Sequence, residues 1–247
     1  MTASSLIDTH CHISEYPDPV SVIRAAETTN ISIVAVTEDP DGYRRLRTRL
    51  GRRSNVEVAL GLHPLRAASF TPNHLARFFR LVPECRWIGE VGLDFSQVGL
   101  STKRQQLSVF DVVLTAAQPG RHPLTVHSRG AEKEVIGRLV DAKLPAILHW
   151  YTGPLGPIND ALAAGLYFSI NAAMTRSKKF RSLMSVIPCD RILLETDGPY
   201  AKSGGQPTRP HKLGEVTNSL ATIWNVTPDA ATAMILKNQN SLLELVR

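Results

Sequence analysis

Eight short apolar runs recur along the chain, each bounded by polar or turn residues and separated from the next by a longer segment of mixed character. The runs are Leu6-Ile7, Ile31 to Val36, Val56 to Leu60, Trp87 to Val91, Leu124 to Val126, Ala146 to Leu148, Leu166 to Ile170 and Arg191 to Leu194. They are β-branched where long, which predicts strands. The spacers 20–29, 72–81, 102–117, 131–142, 155–164 and 178–187 read as helices; Thr71 is a good N-cap with Pro72 in the first helical position. The tail from Lys212 to Arg247 predicts the last helices, one starting at Thr227-Pro228-Asp229 and a final turn at Ser241 to Val246. Strands apolar on both faces, alternating with helices, call for a parallel sheet covered by helices. Eight such units in about 200 residues favour closure into a TIM-like (β/α)8 barrel of the α/β class. With no linker, internal repeat or low-complexity tract, residues 1–247 read as one domain.

Composition narrows the setting. The 247 residues match the ~250 of one such barrel. At 43% hydrophobic and 20% charged the chain is ordinary for a globular protein with a sizeable core. No run approaches the roughly 20 apolar residues that span a bilayer, and MTASSLIDTH lacks a basic-then-apolar leader, so the expectation is a cytoplasmic protein with no membrane partner. Cys11, Cys85 and Cys189 are sparse and odd in number, and read as small buried hydrophobes. A net charge of +6 suits a polyanion without proving one. Its Arg-rich stretches, Arg44-Arg45-Leu46-Arg47 and Arg49 to Arg53, would on an exposed helix ordinarily be a solvated face.

Active sites of parallel barrels gather at the C-terminal ends of the strands. Five of the eight histidines fall there: His10 and His12 after the first run, His63 after the third, His127 after the fifth and His149 after the sixth. Glu90 lies on the fourth run and Asp197 follows the eighth. A lone histidine at such a place is usually a loop or satisfied core residue, but His10-Cys11-His12 is different. Residues i and i+2 of a strand share a face, so two imidazoles stand side by side while Cys11 points away into packing. With two carboxylates from other strands this makes a mixed nitrogen and oxygen site for zinc, manganese or magnesium. His127 and His149 end adjacent strands, close enough to share a second metal with Glu90 as the bridge. Two ions a few Å apart can activate water and clamp a phosphoryl group in an in-line displacement.

The chain resembles the TatD family of metal-dependent deoxyribonucleases along almost its whole length. The resemblance is carried by Ile7 to His12, Gly61-Leu62-His63-Pro64, Ile88 to Asp94, Arg104-Gln105-Gln106, Val126-His127-Ser128-Arg129, His149 with Thr152-Gly153, and Leu194 to Tyr200. It implies a TIM-like barrel, two divalent ions and hydrolysis of DNA. One ion would be held by His10, His12, Glu90 and Asp197 and the other by Glu90, His127 and His149, with Glu90 and Asp197 as the catalytic carboxylates. It further implies Glu195 in the barrel interior or behind the ligands, and His63 and Arg129 as contacts to the substrate phosphate; for Arg129 a structural ion pair is the competing reading.

Three loops depart from the common family pattern. Where many members carry His-Cys-Phe-Ser-Gly, this chain has His149-Trp150-Tyr151-Thr152-Gly153. The seventh run ends in Phe168 to Met174, and the loop Ala201 to His211 lacks the usual Arg-Asn-x-Pro element. These variants resemble the TatD-like nucleases encoded in Qat anti-phage clusters, which implies a defence role with other proteins of such a system as partners. Two rivals remain. A small-molecule amidohydrolase shares the barrel and His-x-His, but many bridge their metals with a lysine on strand four, where this chain has Glu90. An inactive nucleic-acid-binding subunit would be expected to have lost a ligand.

Overall fold

Each apolar run forms a strand, and the period-two alternation along these strands sorts their side chains into two layers. In the computed structural model, which describes residues 5–246, the strands are β1 (Leu6–Cys11), β2 (Ile31–Ala35), β3 (Val56–Val58), β4 (Ile88–Gly92), β5 (Leu124–His127), β6 (Ala146–Leu148), β7 (Tyr167–Ile170) and β8 (Ile192–Leu194). The expected domain ends at residues 1–4 and 247, and the leader reading that leans on the former, lie outside the described residues. The strands make one parallel sheet in the order β3-β2-β1-β8-β7-β6-β5-β4. Its two edges meet through a parallel bridge between Leu60 and Ile88, where Leu60 N–H donates to Trp87 O (2.9 Å) and Gly89 N–H donates to Leu60 O (3.0 Å). The α/β barrel expected from the pattern is therefore the fold.

Helices α1 (Pro19–Thr28), α2 (Pro40–Leu50), α3 (Pro72–Leu81), α4 (Lys103–Ala116), α5 (Glu132–Ala142), α6 (Ile158–Ala163), α7 (Ala172–Thr175), α8 (Phe180–Met184), α9 (Gly214–Trp224) and α10 (Pro228–Glu244) surround the sheet. Thr71 and Thr227 precede α3 and α10 as N-caps, as read from the sequence. Helix α2 lies where the hydrophobic pattern predicted no helix. Its local signals are strong: Asp39 accepts from Gly42 N–H (2.7 Å), Pro40 opens the first turn, and Gly51 at φ +61° ends it. The loop Ala201 to His211 folds into a hairpin of β9 (Lys202–Ser203) and β10 (Gln206–Pro207), turned by Gly204 and Gly205, both at positive φ.

The larger core cluster lies between strands and helices. A smaller one is made of Ile7, Val34, Ile147, Tyr167 and Leu193 on the strands and Val36, Ala59 and Trp87 at strand ends, joined by Leu242 from α10. α10 is tied to the strands it covers. The Gln239 side chain accepts from Ile7 N–H (3.1 Å) and donates to Ser5 O (2.6 Å), while Asn238 donates to Cys189 O and Ile192 O. Cys11 and Cys85 are buried free thiols as expected; Cys189 is half-buried, a correction that follows from its place in a surface turn before β8.

Candidate active site

The strands that carry apolar side chains in their first half carry polar ones two residues later. Ile147 is followed by His149, Tyr167 by Ser169 and Asn171, and Leu193 by Glu195 and Asp197. Register shifts in β1 between Asp8 and Cys11 and in β4 between Ile88 and Val91 break the alternation next to His10 and Glu90; such bulges re-aim side chains at sites. The result is a cavity of about 620 Å³ whose lining includes His12, His63, Glu90, His127, Arg129 and Asp197.

Glu90 is the hub. Its Oε2 lies 3.5 Å from His10 Nε2, 3.3 Å from His12 Nε2 and 3.4 Å from His63 Nε2. Its Oε1 lies 2.7 Å from His127 Nδ1 and 3.1 Å from His149 Nε2. Asp197 Oδ1 stands 3.7 Å from His10 Nε2 and 3.3 Å from His12 Nε2, and those two nitrogens are 3.3 Å apart. Three triplets have one ligand atom each within 4.8 Å of one another: His10, His12 and Asp197; His10, Glu90 and His149; and His63, Glu90 and His127. His127 Nδ1 is also 3.4 Å from His149 Nε2. All six expected ligands thus converge. Imidazole nitrogens that face each other around buried carboxylates are a donor set that suits divalent cations.

The imidazoles are aimed from behind. His127 Nε2–H donates to Asp94 Oδ2 (2.8 Å), leaving Nδ1 toward Glu90. His10 Nδ1 meets Thr125 Oγ1 at 2.6 Å, and the His10 ring stacks on His149 with centroids 3.8 Å apart. Buried Glu195 accepts from Trp150 N–H (3.1 Å), Ser169 Oγ–H (2.5 Å) and Asn171 Nδ2–H (2.8 Å), and lies 3.6 Å from His149 Nδ1. Asp8 accepts from His10 N–H and from the backbone and hydroxyl of Thr196, so it ties the end of β1 to the turn after β8. Such partners fix the orientation of metal-binding side chains.

Charge follows from this crowding. Burial pushes Glu90 up, but His63 and His149, with bonds from His10 and His12, outweigh it and hold the carboxyl well below its usual range. Burial lowers His12, yet Asp197 and Glu90 raise it to about 9. Burial likewise lowers His149, and Glu90 with Glu195 holds it well above its ordinary value. For His10 burial wins and its pKa falls. Burial lifts Asp8 to about 7, whereas His127 and Ser96 draw Asp94 down to about 2 against its own burial.

Backbone conformation marks the same rim. Asp197 (φ 45°) and Trp150 (φ 39°) occupy the left-handed region without being glycine, a strain of about 1–3 kcal/mol each that sites typically retain. Gly198 is needed beside Asp197, since a Cβ there would sit 1.9 Å from the Tyr16 hydroxyl.

His63 and Arg129 both line the cavity. Leu65 N–H donates to His63 Nδ1 (3.2 Å), which puts the ring proton on Nε2, toward Glu90. Arg129 is exposed and makes no ion pair among the described residues, which leaves the competing structural reading of it without a partner. Tyr151 is buried, its hydroxyl bonded to Pro154 O, while half-buried Trp150 lines the cavity and packs against the core. Asp94, Thr125, Asp8 and Tyr200 are not among the site candidates that the sequence offers. The Tyr200 ring meets His12 edge-on at 4.8 Å and is exposed at the mouth. Asp94 and Tyr200 stand inside motifs the sequence does show; Thr125 carried no signal of its own.

Comparisons with known proteins agree with this fold. The family model described as TatD related DNase matches residues 7–244. The chain is similar to the uncharacterized metal-dependent hydrolase YcfH of Escherichia coli K12, 26% identical over 94% of this chain and 93% of that one. It is also similar to the 3'-5' ssDNA/RNA exonuclease TatD of Pantoea vagans, 31% identical over 75% of this chain and 76% of that one. The crystal structure of YJJV, a TatD homolog from Escherichia coli K12, superposes with a TM-score of 0.86 over 98% of both chains at 24% identity. An organophosphorus hydrolase from Deinococcus radiodurans shares only the fold, with a TM-score of 0.62 at 11% identity. No helix among the described residues is long and apolar enough to cross a membrane. With a match that spans nearly the whole barrel and carboxylates and imidazoles gathered at its mouth, this chain belongs to the TatD-related DNase family of metal-dependent hydrolases.

Proposed function

We propose that the protein is a nuclease that hydrolyses phosphodiester bonds of DNA with two divalent ions, Mg, Mn or Zn. The observation that carries the reading is the split role of Glu90, one oxygen turned to His10 and His12 and the other to His127 and His149. His10, His12, Glu90 and Asp197 would hold one ion, and Glu90, His127 and His149 the other. Bound there, the ions supply Lewis acidity to a phosphoryl oxygen and make a water acidic enough to serve as nucleophile.

The chain's own groups do the rest. Asp197 Oδ1 is the nearest carboxylate oxygen to the His10–His12 side besides Glu90, and is the group to accept a proton from the attacking water. His63 Nε2–H and the unpaired Arg129 guanidinium donate to the phosphate, holding the scissile bond over the ions. The relative from Pantoea vagans is named as a single-strand DNA and RNA exonuclease, which supports a polynucleotide substrate. The reading as an amidohydrolase has less support, since β4 places Glu90 and no lysine at the hub. That of an inactive binding subunit has less still, because all six residues proposed as ligands are present.

Hydrolysis of end-labelled single- and double-stranded DNA and of RNA, with Mg, Mn or Zn added and then chelated, tests the activity; no metal-dependent cleavage of any of them would falsify it. The same proposal includes a cytoplasmic role in anti-phage defence beside other proteins of a Qat-like system, supported by the loops 149–153, 168–174 and 201–211. Phage challenge of cells carrying the cluster, with wild-type protein or Asp197→Ala, tests that part. Equal protection by both would remove hydrolysis from the defence role.

A further inference from the structure

The flank of the barrel below the mouth carries a feature the reaction does not use. Between residues 40 and 86 the chain contains ten arginines and no lysine. Five of them, Arg44, Arg47, Arg52, Arg77 and Arg80, line one groove of about 690 Å³ between α2 and α3, with Glu84 as its single lining carboxylate. Arg47 pairs with Glu84 across 3.2 Å on the surface, and Arg77 bonds Asp41. The side chains of Arg44, Arg52 and Arg80 have neither an ion pair nor a hydrogen bond among the described residues. An ordinary solvated helix face would spread its charges over a convex surface. Here two helices and the turn at Gly51 bring them into a concavity.

We propose that this groove is a second, non-catalytic site that binds the phosphate backbone of the nucleic acid away from the scissile bond. The identity of the polyanion rests on the nuclease reading; the groove's preference for phosphate does not. Guanidinium forks match phosphate oxygens two at a time and are weakly hydrated, so unpaired arginines in a cleft favour phosphates. A tightly bound protein partner would want an apolar anchor at the centre of its footprint. The groove offers only Leu81, which is itself buried. Position adds to the case. Glu38 lines the catalytic cavity, and α2 starts two residues later. The helix rises about 1.5 Å per residue, so its arginines lead from the rim along the barrel wall. A strand held at the mouth can continue into this groove, which would favour long substrates over short ones.

The test uses the full chain with Arg44, Arg52 and Arg80 all changed to glutamine. These side chains are exposed and unpartnered, so the fold should hold, as an unchanged Tm would verify; Arg80→Gln alone is the second variant. Binding of a fluorescent deoxythymidine single strand of about 30 nucleotides is measured in chelator across a salt series. The triple variant should bind at least about tenfold more weakly, with the slope of log K against log salt shallower by about 2, and Arg80→Gln should lose about 0.7 of slope. Hydrolysis of bis(p-nitrophenyl) phosphate by the metal-loaded protein, which does not reach the groove, should be unchanged. Wild-type affinity and slope in the triple variant would overturn the proposal. So would displacement of the oligonucleotide from wild-type protein by polyglutamate as effective as that by unlabelled oligonucleotide, since the groove would then serve a carboxylate-rich protein. If the wild type binds in the manner expected but cleaves no nucleic acid with any metal, the groove stands and the nuclease reading falls.

Discussion

The two halves of the barrel interior are built on the same strands and have opposite chemistry. In the half covered by α10, Ile7, Val34, Ile147, Tyr167 and Leu193 make a buried apolar plug. Two residues further on, His149, Ser169 and Glu195 take the same face and are as deeply buried, yet polar. Burial of an apolar side chain stabilises the fold by about 1.5–3 kcal/mol. Burial of an imidazole or carboxylate costs free energy unless hydrogen bonds or an ion compensate. The lower half therefore holds the barrel closed, and the upper half is tolerated because its groups satisfy one another through Glu90, Glu195, Asp94 and Asp8.

That division of labour can be broken from either side. The largest effect should come from Glu90→Gln, which removes the charge shared by both halves of the donor set. Activity should fall by on the order of 10³ or more, beyond the 10–100-fold typical of losing an outer partner, with bound metal lost by elemental analysis. Full metal content and turnover would sink the assignment. Ile147→Ala, two residues before His149, should do the converse. It opens a cavity in the plug and should cost about 2–5 kcal/mol of stability, read by denaturant titration, with metal content and kcat retained. A variant that unfolds no more easily but loses metal would erase the distinction between the halves.

Smaller effects sharpen the boundary. Glu195→Gln keeps the bonding to Trp150 but removes the charge behind His149, and metal affinity by competition titration should fall about 10–100-fold. An unchanged affinity would make Glu195 a packing residue. The mildest test is pH. In chelated protein, protonated His12 stabilises the fold fully below its unfolded value of 6.5, and that contribution is lost as pH climbs to about 9. Metal must displace the same proton, so its affinity rises across that window. The gap in Tm between metal-loaded and chelated protein should thus widen from about pH 6.5 to about 9; a constant gap would mean that His12 takes no part in binding.

The comparison also explains what the sequence could reveal. The apolar runs are legible because burial on both faces leaves no room for polar residues, and His10-x-His12 is legible because two neighbours in the chain share a face. Helix α2 is hard to read because its outward positions are Asp41, Gly42, Thr48 and four arginines, leaving Tyr43, Leu46 and Leu50 after Pro40 to mark the buried stripe. Glu195 was expected behind the ligands from the resemblance, and it is buried there among Ser169, Asn171 and Trp150. Thr125 could not be found, since a strand threonine is unremarkable until His10 is seen 2.6 Å away. Tyr151 and Trp150 are adjacent in a loop, and only the turn of the backbone at Trp150 decides which one enters the core.

The clasp between the two ends of the fold sets a schedule for making the protein. Ile7 N–H is bonded by Gln239, 232 residues later, and β1 pairs with β8 near the close of the chain. At roughly 5–20 residues per second, a ribosome needs roughly 12–46 s to supply that partner after β1 has been made. For most of that interval, until β8 is made and Leu194 can pair with Asp8, the first strand has an open edge, the kind of surface on which chains aggregate. A nascent chain of this fold carries that edge until β8 emerges and lacks the Gln239 clasp until α10 follows, so its yield in the cell depends on how well that wait is managed.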